Sequence, residues 1–319
     1  MPQLRAASVF AIVSAAMAVA SSVMADDILW RPYFEAHVRA GDAAEVGQGN
    51  VFLPLLEDDA SMLFADLRGQ WTDEQAAEGN FGLAYRQIMS NDWIVGGYAF
   101  YDLRHSRFNN NFQQFTVGAE LLNACNGLRV NGYIPDRDAD DAPQLNTATT
   151  LGEERAYYGV DFEYERLVLS PHVFCDCEVW AAVGVFHFNN DTEGYEDITG
   201  PRARVEMRAF DVPLLGVDSR VVLAGQIEND DIRGTVGTGT VTLRIPFGRG
   251  GGASGYRLAG IDRRMVAPIV RDIDIITSTS SIPNPDLGPT TITSTGSGDP
   301  PLDEFDINDV QSWGNLPIY

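Results

Sequence analysis

Asp102 and His105 stand three residues apart. A carboxylate beside an imidazole can orient the ring so that it takes a proton from water, so this couple is the first place to look for catalysis. The other histidines are His37, His172 and His187, and His187 shares with His105 a place near the outer end of a predicted strand. No Gly-x-Ser-x-Gly elbow, phosphate loop, zinc helix or dinucleotide fingerprint accompanies them. The glycines of 234–239 read as a loop, not a nucleotide cradle. Strand-end histidines with a structural role are therefore the expectation, with no catalytic residue and no cofactor. Cys175 and Cys177 form a Cys-x-Cys that lacks further metal ligands. They are also close in sequence for an unstrained bridge. Cys125 falls in a turn on the same side as Cys175, so a disulfide from Cys125 to Cys175 or Cys177 is sterically open and leaves one thiol over.

Charge narrows the class. The 319 residues carry a formal charge of -23, and every one of the 22 basic residues is arginine. So acidic a chain does not bind nucleic acid. The acids gather at 136–141, 191–197 and 230–231, where a solvated loop is expected before a cation site. Residues 1–25 have the pattern of a cleaved export signal: Arg5, an apolar stretch over 11–20, then Val23-Met24-Ala25. No later run is long and apolar enough for a membrane helix.

The elements that would position any site are strands. Twelve segments of about ten residues alternate apolar and polar side chains: 29–40, 47–56, 60–71, 79–88, 92–103, 111–121, 127–135, 155–165, 177–188, 201–210, 218–229 and 237–247. In 201–210, Ala203, Val205, Met207 and Ala209 share one face, and Arg202, Arg204, Glu206 and Arg208 the other. Twelve such ribbons have no common core to pack on unless the apolar face meets lipid and the charged face lines a lumen. A closed antiparallel transmembrane β-barrel has this layout, since hydrocarbon cannot satisfy an open strand edge. Asp66, Arg68, Arg86, Asp102, Glu120, Arg129, Asp161, Glu163, Arg202, Arg204, Glu206, Arg208 and Arg244 are placed in the lumen, with both signs opposed across strands. Short links at 57–59, 90–91, 123–126 and 211–217 alternate with longer ones at 41–46, 73–78, 104–110, 136–154, 189–200 and 230–236. The link 166–176 is long on the short side.

Several segments then resemble the β-domain of inverse autotransporters, the intimin and invasin family. They are Asn50-Val51-Phe52-Leu53-Pro54-Leu55, Asn80-Phe81-Gly82-Leu83-Ala84-Tyr85-Arg86, Gly97-Tyr98-Ala99-Phe100-Tyr101-Asp102, Gly118-Ala119-Glu120, Asn131-Gly132-Tyr133-Ile134-Pro135, Gly159-Val160-Asp161-Phe162-Glu163 and Gly184-Val185-Phe186-His187-Phe188. The resemblance implies a twelve-stranded outer-membrane barrel over 26–247 in a Gram-negative-type bacterium. It implies a closing strand read by the barrel-assembly machinery, periplasmic chaperones as further partners, and a chain that turns back to thread the lumen toward a surface-exposed C-terminal passenger. The Gly-rich 248–255 suits the turn. The expected linker runs to residue 276, with Arg263, Arg264 and Arg271 facing the lumen charges. Residues 277–319, rich in Ser, Thr, Pro and Asp, read as a disordered tail. An immunoglobulin-like passenger needs about 100 residues, more than this tail holds, so neither an adhesive passenger nor its receptor is assigned. A small-solute porin or a purely structural barrel is the competing expectation.

Overall fold

A computed structural model of the chain describes residues 29–42, 45–73, 76–136, 139–170, 176–192, 194–247, 258–272 and 274–283. Residues 1–25 with their export signal, His172, Cys175 and the 248–255 turn lie outside the described residues.

Alternation decides the architecture. Strands β1 (Tyr33–Gly41), β2 (Val46–Glu57), β3 (Ser61–Thr72), β4 (Ala77–Ile88), β5 (Ile94–His105), β6 (Asn111–Leu122) and β7 (Asn126–Pro135) pair antiparallel in sequence order. A small excursion follows: β8 (Asp140–Asp141), a 3-10 turn (Pro143–Leu145) and β9 (Thr150–Ala156). The wall resumes with β10 (Tyr158–Leu169), β11 (Asp176–Asn189), β12 (Ile198–Phe210), β13 (Arg220–Asp230) and β14 (Gly234–Pro246). β14 pairs with β1 from Tyr33↔Pro246 to Gly41↔Thr238, which closes a twelve-stranded barrel without a free edge. Proline cannot donate to a ladder, and the register of β2 slips between Pro54 and Leu56.

Outward faces carry the apolar set: Phe115, Val117, Val130, Val160, Phe162, Val183, Val185 and Val241 are exposed. Inward faces are buried and, beyond the charges, aromatic. Trp30, Tyr33, Phe52, Phe64, Tyr98 and Phe100 form one cluster at the end of the short turns. Two motif glycines explain how such rings fit. Gly82 sits opposite Phe100 and Gly118 opposite Tyr98, and a Cβ at either would come within 2.2 Å of the ring it faces. The rings lie flat across the neighbouring strand because the glycine has no side chain there.

Several boundaries differ from expectation. The first strand starts at Tyr33, because the main-chain N–H groups of Leu29 and Trp30 turn to the Glu57 carboxylate and not to a ladder. The link expected long at 230–236 is a tight turn over 231–233, since the Asp230 carboxylate accepts the N–H groups of Ile232 and Arg233. The link expected short at 211–217 extends over 211–219, ordered by Asp211 and Ser219 side chains that accept from Asp218 and Val212 N–H groups. The correction to the tail is larger. Residues 277–283, expected in the disordered stretch, form β15 (Thr277–Pro283), which pairs with β9 from Thr277↔Ala156 to Pro283↔Thr150. A Ser/Thr-rich segment reads as linker on composition, but here β9 offers it an unpaired edge.

Candidate functional site: a filled lumen

The lumen is occupied by the chain's own residues 258–272 and 274–276. They enter at the end of the short turns, where α1 (Ile261–Met265) lies, and leave at the end of the long loops as β15. Contacts rise along the wall in step with the sequence. Arg263 donates to Asp176 and, at 3.0 Å, to Glu178 at the lower end of β11. Arg264 binds Glu165, which also accepts from Arg129 at 2.7 Å and Arg208 at 3.2 Å. Arg86 Nη1 donates to the carbonyls of Met265 and Ala267, both at 2.6 Å, while its Nε reaches Glu120 at 2.5 Å. Arg244 takes the Val266 carbonyl at 3.0 Å, Arg68 the Ile269 carbonyl at 2.7 Å, and Asn131 that of Val270 at 3.3 Å.

Higher up, Arg271 forks onto Asp102 at 2.7 and 3.2 Å. Asp272 accepts from Arg202 at 2.7 and 2.9 Å, and its N–H donates to the Tyr133 hydroxyl at 2.7 Å. Asp274 meets Gln70 and, at 3.2 Å, Arg39. Ile275 N–H reaches Glu78 at 3.1 Å. Tyr157 N–H then donates to the Ile276 carbonyl and Thr277 Oγ1 to Glu154, each at 3.0 Å, so the chain passes from the lumen straight into the cap. An extended segment has no ladder of its own, and an unpaired buried backbone group is costly. Fixed side chains of the wall supply the missing partners.

The wall also neutralises itself. Asp66 accepts from Nε and Nη2 of Arg68 at 2.8 and 2.7 Å. Glu163 pairs with Arg204 at 2.8 Å and Arg129 at 3.4 Å, and Glu206 with Arg208 and Arg204. Asp161 holds Asn131 and Tyr133. Most of the charged residues placed in the lumen by alternation thus fall into several ion-pair clusters, of which those around Glu165, Asp102 and Arg202 take in Arg264, Arg271 and Asp272 of the linker. The sequence reading overlooked Glu35, Glu78, Arg104 and Arg220, although each keeps its strand's inward phase; Glu35 joins Arg220 at 2.8 Å to Arg244 at 2.7 Å. It also overlooked the apolar docking of Met265, Val266 and Ile269 into the aromatic cluster beneath them.

Asp102 and His105 do not form a couple. Asp102 points into the lumen and binds Arg271, Asn80 and Thr116, while the His105 ring meets Asn111 at 3.0 Å on the outer side. An offset of three residues in a strand puts two side chains on opposite faces. His187 and His37 pair with Thr199 and Thr242. The Cys125 bridge is not formed either: Cys125 is a free, exposed thiol and Cys177 is disulfide-bonded, whereas Cys175 lies outside the described residues. Above the barrel, burial raises the phenol of Tyr157 to about 12 and raises that of Tyr195 too; their hydroxyls donate to the carbonyls of Glu196 and Glu153.

A barrel with this lumen has relatives. The family described as "Inverse autotransporter, beta-domain" matches residues 12–235. The chain belongs to the inverse autotransporter β-domain family. No curated protein matches it. Among solved structures, one from work on the in-meso crystallization of membrane proteins aligns at TM-score 0.61 and 14% identity, over 79% of this chain and 100% of that one. An outer membrane channel from Pseudomonas putida F1 aligns at TM-score 0.50 and 10% identity, over 69% of this chain and 96% of that one. At these identities the likeness is one of fold. Family and fold place this inverse autotransporter β-domain in the outer membrane.

Proposed function

We propose that this β-domain is a non-enzymatic translocator and anchor, which exports the segment after residue 276 to the cell surface and then holds it by the linker left in the lumen. The single observation that carries the reading is the continuous run of contacts from Arg263 to β15, which spans the wall from the turn end to the loop end. In this reading the turn end faces the periplasm and the acidic loops face outward, as short turns and long loops do in outer-membrane barrels. The linker has two tasks. It ties the exported part to the barrel through paired charges, and it fills a hole that would otherwise leak. The barrel-assembly machinery and periplasmic chaperones are the partners such a barrel needs, and adhesion is the use to which a surface passenger would be put.

A small-solute porin is the competing reading, and the filled lumen speaks against it. An epitope fused after Tyr319 tests export: labelling on intact cells is expected, and a tag that stays protected from protease there refutes the translocator. Deletion of 249–276 tests the plug. Purified barrels lacking it are expected to conduct where the full chain does not, and equal conductance of the two refutes the retained linker.

A further inference from the structure

Each of the three linker arginines rests on an aromatic ring as well as on a carboxylate. The guanidinium carbon of Arg271 lies 4.2 Å from the Phe100 ring centre, that of Arg264 4.6 Å from Trp180, and that of Arg263 4.0 Å from Phe210. Two of these rings are shared with a wall arginine: Arg68 stands 5.3 Å from Phe100 and Arg208 4.7 Å from Trp180. Both rings are buried. They are also set by the wall itself. Phe100 lies across Gly82, and Trp180 Nε1 donates to Glu178 at 2.8 Å, whose other oxygen accepts from Arg263.

A single carboxylate contact, such as that of Arg264 with Glu165, would hold a lysine about as well as an arginine. A flat guanidinium differs because it can stack on a ring while its edge donates to a carboxylate. We propose that Phe100, Trp180 and Phe210 are arginine-selective sockets that fix the register at which the exported chain comes to rest, an inference that builds on the retained linker. The spacing makes the register singular. A slip of one residue brings Val270 or Asp272 to Asp102 in place of Arg271, an apolar group or a like charge against a buried carboxylate. The same slip brings Met265 to Trp180 in one direction. In a wrong register the buried Asp102 loses its cation or meets a like charge, whereas in the observed one it keeps its paired arginine.

The test uses the full chain in planar bilayers, with heat-shifted gel mobility to verify folding and amide exchange of 266–276 as a second readout. Arg264→Lys keeps the charge and loses the stack, whereas Arg271→Lys keeps the charge and loses both the stack and the fork on Asp102. The first is expected to raise channel opening and linker exchange roughly tenfold, the worth of one desolvated stack, and the second by more. Phe100→Leu, which removes the stack and leaves the fork, should open by the same roughly tenfold factor as Arg264→Lys, whereas Phe100→Tyr, which keeps a ring, should open far less. Lysine variants that stay closed while Arg264→Gln and Arg271→Gln open would overturn the sockets, because charge alone would then set the register. So would a Phe100→Tyr chain that opens like Phe100→Leu. Failure of the retained linker looks different: deletion of 249–276 would change nothing.

Discussion

Asp102→Asn isolates one rung of the lumen ladder. Asp102 is fully buried, and its two oxygens accept from Arg271 (2.7 and 3.2 Å), Asn80 (2.8 Å), Thr116 (2.6 Å) and Gln114 (3.5 Å). Asparagine keeps the volume but replaces one acceptor with a donor, in a site where every partner already donates. Arg271 loses its anionic fork and keeps one neutral acceptor there at most, beside its bond to the Asp272 carbonyl at 2.9 Å. Removing one member of a buried ion pair costs about 3–5 kcal/mol. Arg264, Asp272 and Asp274 still tether the segment on either side, so the loss is expected as local opening and not as unfolding of the barrel. Taking the lower value, the opening equilibrium shifts by roughly a hundredfold, at tenfold per 1.4 kcal/mol. Amide exchange of 266–276 in detergent-solubilised protein reads it directly. Arg271→Gln should show a similar gain, and the double variant less than the sum, since the two residues share one interaction. Exchange within twofold of the parent in Asp102→Asn, or strict additivity in the pair, would refute the ladder.

Three further outcomes follow from other parts of the molecule. Ser280→Pro removes a ladder donor from β15 opposite Glu153, so limited proteolysis should nick 277–283 roughly tenfold faster, a loss of about 1–2 hydrogen bonds, with the barrel intact. Val183→Arg puts a charge on an exposed, lipid-facing position of β11 and should cost about 2–4 kcal/mol near the bilayer midplane, measured by urea unfolding in vesicles; an unaltered midpoint would mean this face does not meet lipid. Tyr157, held neutral by burial, contributes stability that is complete below the unfolded phenol value of about 10 and is lost as pH rises through about 12. Ultraviolet titration should therefore lose a late ionisation in Tyr157→Phe, and loss of one near pH 10 instead would contradict the burial of that ring.

Strand number, strand facing and lumen charge were legible because a β side chain alternates with a period of two whatever its neighbours do. Val183 and Arg204 declare opposite faces before any fold is known. The family motifs added the direction of the linker. Pairing was not legible. Closure of β1 on β14 and the meeting of Arg271 with Asp102 join residues far apart in sequence, and only barrel geometry brings them level. The Asp102–His105 couple misled because sequence proximity says nothing about the face. Phe100 looked like one aromatic among several until Gly82 on the next strand gave its ring a place to lie. The strand β15 was hidden for the converse reason: its residues have weak preferences of their own, and the free edge of β9 decided their conformation. Local alternation is a property of each ribbon alone, so the sequence determines it; partners across the lumen are a property of closure, so the tertiary structure does.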